Sequence, residues 1–230
     1  MNNTLQRLLN RFHLDWASMK AIMMTTGAVI SGSAALAVLQ EGKFVPQDID
    51  IYVTSENIAA ILAFLLEQGY KLVTKTTEKR YATTVTLSLK YNGGEKIDLI
   101  VTTESHVVHA ITRFHSTCVM NYIAYYGIVC LYPHWTMRDI GFVRKGKVDQ
   151  QAIYKYRGRG FAMVDTASKL PDYEANHMCG RHHCCPKAKR ELCDHVTFCI
   201  PFEEEGQNIY TEEGRGRVGW ILDEDYECEA

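Results

Sequence analysis

The feature that most constrains the fold of this 230-residue chain is the stretch of residues 27–53. It contains an apolar segment that reaches Gly32 and Ser33, an Ala- and Leu-rich segment, and a second apolar segment that carries Asp48 and Asp50. Short apolar runs of this kind are typical of buried strands, and the Ala/Leu-rich segment between them favours a helix. The stretch therefore predicts a strand–helix–strand unit with a Gly-Ser turn and a pair of acids.

Three aspartates on two predicted strands form a candidate metal site. Positions i and i+2 of a strand point to the same face, so Asp48 and Asp50 lie together while their apolar neighbours face a core. Asp98 repeats this arrangement in residues 96–101 (KIDLIV), where it is the only acid. Buried carboxylates are costly unless they are paired or bind a metal, and Mg²⁺ prefers such oxygen ligands. We expect the three aspartates to hold Mg²⁺ or Mn²⁺, as a pair of ions about 3.5–4 Å apart.

The Gly-Ser pair is a candidate phosphate site. Ser33 precedes the helix-forming residues 34–40, and Ser is a good N-cap, so we expect the helix to begin there. Gly32 lets the backbone approach an anion closely, and a helix N-terminus offers free N–H groups. A single Gly-Ser pair is usually only a cap, and a single Asp-x-Asp is often a turn or a calcium-like loop. Their occurrence together, in this order, favours a triphosphate beside a metal site.

The segments 30–33 (ISGS), 48–51 (DIDI) and 97–99 (IDL) together resemble the signatures of the polymerase beta-like nucleotidyltransferase superfamily. The resemblance covers roughly residues 21–102. It implies an α+β fold, with a mixed β-sheet flanked by helices and a helical or irregular C-terminal part. Residues 155–161 (KYRGRGF) are also similar to segments of uncharacterised fungal nucleotidyltransferase-like proteins.

The resemblance also implies roles for individual residues. Gly32 and Ser33 would bind the phosphates of a nucleoside triphosphate. Asp48 and Asp50 would bind two magnesium ions, while Asp98 would bind metal and help to activate the attacking hydroxyl.

The resemblance, together with charge and composition, divides the chain into four expected parts. Residues 1–103 form the nucleotidyltransferase core, and residues 104–170 form a helical, basic extension packed on it. Residues 171–200 are rich in Cys and His, and residues 201–230 form an acidic tail that we expect to be solvated. Residues 141–200 contain eleven Lys/Arg and six Asp/Glu, whereas the tail contains two and ten. The basic part, which includes the clusters 144–147 and 155–159, is suited to a triphosphate or an RNA acceptor.

Periodicity predicts further elements around the core. The expected helices are one amphipathic helix over residues 5–19, a second helix over 58–68, and largely helical segments over 106–114 and 116–126. The expected strands are 71–76, 82–90 and 95–101, the last two joined as a hairpin that brings Asp98 back towards the other acids.

Cys and His crowd a short window of the chain, residues 179–199. Thiolates and imidazoles at short spacing suit tetrahedral zinc, so Cys179, His182, Cys184 and Cys193 are the candidate ligands of a structural Zn²⁺. The spacing matches no standard zinc finger. Thiols without metal in a reducing compartment are the alternative.

Composition narrows the class of protein. An apolar fraction of 47% and a charged fraction of 23% suit a globular domain. A net charge of −2 gives no overall attraction to nucleic acid or membrane, so any polyanion site must be local. Residues 21–40 are uncharged, but Thr, Gly and Ser interrupt them, which favours buried sheet and helix over a membrane span, so we expect no membrane partner. Without a secretory signal pattern, we expect a cytoplasmic or nuclear protein that is not secreted and keeps its cysteines reduced.

The leading hypothesis is a metal-dependent nucleotidyltransferase that moves a nucleoside monophosphate from an NTP to an acceptor hydroxyl or other group and releases pyrophosphate. The acceptor stays open among a small molecule, a protein and RNA. One alternative is a catalytically silent nucleotide-binding or scaffold protein of the same fold. A sugar-nucleotide glycosyltransferase is a further alternative, although it leaves Gly32, Ser33 and Asp98 unexplained.

Overall fold

The computed structural model describes residues 2–77, 82–92, 94–146, 149–174, 176–182, 185–192, 194–202 and 218–228. Its described α-helices are α1 (Asn2–Arg11), α2 (Trp16–Thr26), α3 (Gly32–Leu39), α4 (Ile58–Glu67), α5 (Val108–Ile111), α6 (Pro133–Thr136) and α7 (Gln150–Gly158). Its described strands are β1 (Val29–Ser31), β2 (Asp48–Thr54), β3 (Tyr70–Thr76), β4 (Thr83–Tyr91), β5 (Lys96–Thr102), β6 (Asn121–Ala124), β7 (Gly127–Cys130), β8 (Ile140–Phe142), β9 (Ala162–Val164), β10 (Lys189–Glu191), β11 (Phe198–Pro201) and β12 (Gly219–Ile221). The fold is therefore mixed α+β, as predicted.

The main sheet contains eight of the described strands, in the order β11-β7-β6-β1-β2-β5-β4-β3. Strands β2 and β5 pair in parallel, and the other neighbouring strands of this sheet pair antiparallel. A parallel pair needs a crossover connection, which α4 and the β3–β4 hairpin supply. This crossover places the two acid-bearing strands side by side in the middle of the sheet.

The two faces of the sheet pack against different helices. One face of β2 and β5 packs against α1–α4 through buried aliphatic side chains, which are Ile49, Ile51, Ile97 and Leu99. The other face carries Tyr52 and Ile100, which belong to a second core that includes residues of α5 and α7. Because side chains alternate along a strand, the aspartates of β2 and β5 share the face of Tyr52 and Ile100.

The N-terminal segment forms two helices, so the prediction of one helix over residues 5–19 is wrong. Helix α1 ends at Arg11, and His13 has a φ of 55°. The carboxylate of Asp15 then accepts a hydrogen bond from the N–H of Ser18 at 2.8 Å and caps α2. Helical spacing of apolar residues continued across this break because both helices bury their apolar faces in the same core.

The predicted helix and strands around the crossover are confirmed. Helix α4 corresponds to the predicted segment 58–68, and Gly69, with a φ of 90°, follows it. Strands β3, β4 and β5 lie within one or two residues of their predicted positions. The connection between β4 and β5 includes Gly93, which lies outside the described residues.

Residues 116–126 are not helical, which corrects the prediction for this segment. A short 3-10 turn, Thr117–Val119, leads into β6, and β6 pairs with both β1 and β7. A short apolar run fits a buried helix or a buried strand equally well, and pairing with β1 decides the outcome here. Strands from both sides of residue 103 thus share one sheet. The division of the chain into four parts stays a prediction.

The end of the chain corrects the prediction of a solvated acidic tail. Residues 203–217, which include the acidic run 203–205, lie outside the described residues. Residues 218–228 pack on the protein, with Trp220, Leu222 and Tyr226 buried and β12 paired with β10. The indole N–H of Trp220 donates to the hydroxyl of Tyr132 at 2.8 Å. Apolar side chains between the acids therefore anchor this segment.

The uncharged residues 21–40 fold as the end of α2, strand β1 and helix α3. Helix α3 is buried along its whole length. Among the helices that the structure describes, none combines the length and the apolar character needed to cross a bilayer.

Candidate active site

A row of polar residues crosses four neighbouring strands. Ser31 on β1 is opposite Asp50 on β2, Asp50 is opposite Asp98 on β5, and Asp98 is opposite Ser88 on β4. Residues directly opposite each other in a sheet share a face. The sheet register therefore brings the second and third predicted acids together, and Asp48, two residues before Asp50, points the same way.

The structure brings the three predicted acids into one cluster. One carboxylate oxygen from each of Asp48, Asp50 and Asp98 lies within 4.8 Å of the others, and each of the three residues is partly exposed. Oxygen ligands at this separation, open to solvent on one side, suit divalent cations that keep water or phosphate oxygens as further ligands.

Negative charge in this cluster is only partly compensated by the protein. Burial, together with repulsion from Asp48 and Asp98, raises the pKa of Asp50 to about 7, although the positive charges of Lys155 and Lys96 act in the opposite direction. Adding a cation would remove this repulsion. The donor set is therefore one that favours binding of a divalent metal ion.

Lys96 is a member of this site that sequence reasoning missed. Its ammonium lies 2.7 Å from Oδ2 of Asp98, while the hydroxyl of Ser88 donates to Oδ1 of the same carboxylate at 2.6 Å. Burial lowers the pKa of Lys96, but the contact with Asp98 and the charges of Asp48 and Asp50 outweigh it and raise the pKa overall. The sequence contained a signal for Lys96, because this residue is two positions before Asp98 and therefore shares its face of the strand.

The predicted phosphate site lies at the start of α3, next to the acids. The helix begins at Gly32, and its N-cap is Ser31, so the prediction that Ser33 is the N-cap is wrong. The hydroxyl of Ser31 donates to the backbone oxygen of Asn121 at 2.6 Å and caps no helix N–H. The hydroxyl of Ser33 is buried, at 3% exposure of the residue, and has no hydrogen-bond partner among the described residues. This donor is available to a ligand.

Gly32 makes the close approach between helix and acid sterically feasible. Its φ is 65°, and a β-carbon at this position would lie less than 3.0 Å from Oδ2 of Asp50. Any side chain would therefore displace the carboxylate or the start of α3.

A cleft of about 150 Å³ joins these parts. Its lining residues are Gly32, Ser33, Asp48, Asp50, Tyr52, Phe114, His115, Val119, Lys155 and Tyr156. Ligand pockets typically measure about 300–1,000 Å³, so the cleft suits part of a nucleotide, such as its phosphates. Lys155 comes from the basic cluster that we expected to receive a triphosphate. His115 also borders the cleft.

The two predicted zinc ligands that the structure describes do not line this cleft. Cys179 and His182 are described, whereas Cys184 and Cys193 lie outside the described residues. Zinc binding by that set of four stays a prediction. Within the described part of the chain, the sulfur of Cys179 contacts Cys185 and Cys228.

Comparison with known proteins gives no sequence match, since no family model and no curated protein matches the chain. The chain is similar to solved structures of CCA-adding enzymes. An apo form I structure has 16% identity and a TM-score of 0.45, with coverage of 72% of this chain and 44% of that one. The Thermotoga maritima enzyme complexed with tRNA has 16% identity and a TM-score of 0.42, with coverage of 72% of this chain and 43% of that one. A complex with CTP has 14% identity, a TM-score of 0.42 and coverage of 70% and 43%. The chain thus spans less than half the length of these proteins.

Proposed function

We propose that this chain is a divalent-metal-dependent nucleotidyltransferase that uses a nucleoside triphosphate. The observation that carries the proposal is the cluster formed by Asp48, Asp50 and Asp98, whose carboxylate oxygens lie within 4.8 Å of one another. Two of these acids line the same cleft as Gly32 and Ser33. Transfer of a phosphate-linked group requires acidic residues and an anion-binding helix N-terminus in one cleft.

The phosphate side of the cleft would be formed by α3 and α7. The first N–H groups of a helix lack intrahelical partners and attract anions, and the buried hydroxyl of Ser33 adds a donor that no described residue uses. Lys155, on α7, brings a positive charge close enough to act on the pKa of Asp50. Together these groups would orient the triphosphate with its α-phosphate towards the acids.

The acids fit a divalent metal by the chemistry of the donor set. Asp48, Asp50 and Asp98 offer hard oxygen donors, and burial, together with repulsion from Asp48 and Asp98, raises the pKa of Asp50. When bound, Mg²⁺ or Mn²⁺ would neutralise charge on the phosphates. Asp50 and Asp48 would hold the positively charged metal ion beside the start of α3.

The proposed reaction transfers a nucleoside monophosphate. An acceptor oxygen forms a bond to the α-phosphorus, the bond from that phosphorus to the bridging oxygen breaks, and pyrophosphate leaves. The carboxylate of Asp98 takes the acceptor proton, with its orientation fixed by Ser88 and Lys96. Positioning and charge neutralisation would supply most of the rate enhancement.

One observation favours the alternative of a catalytically silent nucleotide-binding protein. The ammonium of Lys96 lies 2.7 Å from Asp98, whose side chain is only 15% exposed. A protein cation at this position would neutralise the third acid without metal. The ion pair would then preserve the fold while blocking one ligand of the site.

The test measures transfer from each of the four nucleoside triphosphates, labelled at the α-phosphate, with Mg²⁺ or Mn²⁺ present. Acceptors offered in parallel are RNA with a free 3′ hydroxyl, hydroxyl-bearing small molecules and protein. We expect label transfer with pyrophosphate release, and a loss of at least about 100-fold in Asp48→Asn and in Asp98→Asn. Asp165→Asn is the matched control, because Asp165 is exposed, pairs with Lys169 and does not line the cleft.

The outcomes separate the two candidates. Nucleotide binding without pyrophosphate release in the wild-type protein would support the silent alternative. Equal turnover in the wild type, Asp48→Asn and Asp98→Asn would exclude the proposed chemistry at these acids.

A further inference from the structure

Three cysteines that are distant in sequence meet at one point. The sulfur atoms of Cys179 and Cys228 lie 3.3 Å apart, those of Cys185 and Cys228 3.5 Å apart, and those of Cys179 and Cys185 4.0 Å apart. Sulfur ligands about 2.3 Å from a tetrahedral zinc ion are separated by about 3.8 Å. The three observed distances bracket this value, so the sulfur atoms have the spacing of a shared ligand set.

A histidine lies beside two of these three cysteines. One ring nitrogen of His177 lies within 4.8 Å of the sulfur atoms of Cys185 and Cys228. The Nδ1–H of His177 donates to the backbone oxygen of Glu174 at 2.6 Å. The Nε2 atom of His177 is buried and has no oxygen or nitrogen partner among the described residues. The imidazole ring interacts with Cys185. A carbonyl on one ring nitrogen leaves the other with its lone pair available, which is the arrangement of most metal-binding histidines.

The backbone around Cys185 stabilises a thiolate. Gly180 has a φ of 77°, and its N–H donates to the sulfur of Cys185 at 3.3 Å. Glycine adopts this conformation at little cost, which lets the chain turn its N–H towards the sulfur. A hydrogen bond from a backbone N–H favours the charged form of a thiol, and the thiolate is the form that binds metal.

We propose that Cys179, Cys185, Cys228 and His177 bind one structural Zn²⁺. Three thiolates and an imidazole are soft ligands that select zinc over magnesium. Four protein ligands close a tetrahedral site and leave no open position, which is typical of structural rather than catalytic zinc. The site is separate from the acid cluster and does not depend on the proposed transferase activity.

The position of the ligands indicates what the ion would do. Between the 3-10 turn Ala167–Lys169 and strand β10, the described residues form no helix or strand, and three of the four ligands lie in this segment. The fourth, Cys228, follows Tyr226, which is buried against the second core. Zinc would therefore fasten the end of the described chain to an irregular segment that has few regular hydrogen bonds of its own.

This ligand set differs from the one that the sequence spacing suggested. It retains Cys179, replaces His182 with His177, and replaces Cys184 and Cys193 with Cys185 and Cys228. The last of these ligands is 43 residues beyond Cys185, which explains why short spacings did not reveal it.

The experiment measures metal content by mass spectrometry of the purified full chain. We expect one zinc per chain in the wild type, and loss of that zinc in Cys185→Ser, Cys228→Ser and His177→Asn. Cys199→Ser and Cys193→Ser are matched controls that should keep it. Loss of zinc in Cys193→Ser with retention in Cys228→Ser would overturn this ligand set.

A second measurement does not depend on how the variants fold. Zinc-depleted wild-type protein is titrated with Co²⁺ alone. We expect the sulfur-to-metal charge-transfer absorption and the intense visible bands of a tetrahedral thiolate site, saturating at one Co²⁺ per chain. Absence of these bands in reduced protein, or a Cys179–Cys228 disulfide in freshly purified protein without metal, would overturn the proposal.

Discussion

The backbone of Gly32 lies directly against the carboxylate of Asp50, so closely that a β-carbon would come within 3.0 Å of Oδ2. This contact joins the two halves of the candidate site. The absence of a side chain at Gly32 lets the start of α3, the proposed anion site, lie beside an acid of the proposed metal site. A change at this one residue would therefore disturb both proposed parts of the site.

Replacing Gly32 with alanine should disturb both parts of the site at once. The new methyl group would push Asp50 or the helix start away, so we expect a loss of transfer activity of at least about tenfold and weaker Mn²⁺ binding. The positive φ adds a stability cost of about 1 kcal/mol. Activity assays and Mn²⁺ titration check this result.

Gly27→Ala is the matched control for that prediction. Gly27 has a φ of 64°, nearly the same as Gly32, but its β-carbon would meet nothing within 4 Å. It should show the same backbone cost in urea unfolding with unchanged activity. Equal activity in both variants would show that the contact with Asp50 does not matter.

The two serines at the start of α3 should respond in opposite ways to alanine substitution. Ser33→Ala removes a hydroxyl without a described partner, so stability should stay the same while KM for the nucleotide rises about tenfold, the value of a hydrogen bond to a charged group. Ser31→Ala breaks the bond to Asn121 and should cost about 1 kcal/mol of stability. Urea unfolding and steady-state kinetics of both variants check the contrast. A loss of stability in Ser33→Ala with unchanged KM would mean that its hydroxyl is used within the fold.

Removing the charge of Lys96 should strengthen metal binding. Its ammonium competes with a cation for Asp98, and because Lys96 is partly exposed, the expected gain in Mn²⁺ affinity is modest, about three- to tenfold. Lys96→Met keeps the length of the side chain, and Lys90→Met on the neighbouring strand β4 is the control. Calorimetric titration with Mn²⁺ measures the change. Weaker binding in Lys96→Met would show that the lysine supports the metal site rather than competing with it.

The metal-free protein should gain stability when one acid of the cluster loses its charge. Burial and the repulsion by Asp48 and Asp98 disfavour the charged form of Asp50 and raise its pKa. At pH 8 in EDTA, we therefore expect Asp50→Asn to be more stable than the wild type by about 2 kcal/mol. Adding Mn²⁺ should stabilise the wild type and leave Asp50→Asn nearly unchanged. Thermal unfolding with and without Mn²⁺ measures both effects, and a destabilised Asp50→Asn in EDTA would contradict the account of repulsion.

The centre of the fold could be predicted from the sequence because its signals are local. Alternation on β2 and β5 placed Asp48, Asp50 and Asp98 on one face, and the Gly-Ser pair placed a helix start nearby. Segment 116–126 was wrongly predicted to be helical. An apolar run of this length takes its conformation from its partner strand, here β1, which is about 90 residues away in sequence. The burial of Trp220 and Tyr226 was hidden by the acids around them.

The site was predicted less completely than the fold. Lys96 could have been recognised from its i, i+2 relation to Asp98, since both side chains must share a face. Lys155 was predicted only as part of the basic cluster 155–159, and His115 was not predicted, because only the tertiary structure brings α7 and the residues after α5 to the cleft. Cys228 is likewise joined to Cys179 by folding alone.

The buried ion pair between Arg190 and Asp194 should make stability depend on pH in the acid range. The side chain of Arg190 is 3% exposed, and that of Asp194 is 18% exposed. The guanidinium also donates to the backbone oxygen of Leu131 at 3.0 Å. Burial raises the pKa of Asp194, but the hydrogen bonds and charge of Arg190 outweigh it and lower the pKa to about 2.

A carboxyl group whose pKa is lowered by folding stabilises the protein above its unfolded pKa. This contribution is lost as the pH falls towards the folded pKa. We therefore expect the wild type to lose about 2 kcal/mol of unfolding free energy between about pH 4 and pH 2 through this group.

Asp194→Asn leaves the charge of Arg190 buried without its partner and should cost about 3 kcal/mol at pH 7. The difference in unfolding free energy between Asp194→Asn and the wild type should shrink as the pH falls below 3. Asp165→Asn, which removes an exposed ion pair, should stay within about 0.5 kcal/mol of the wild type. Urea unfolding at pH 7, 4 and 2.5 measures these differences, and a cost for Asp194→Asn that is independent of pH would show that the ion pair does not contribute to stability.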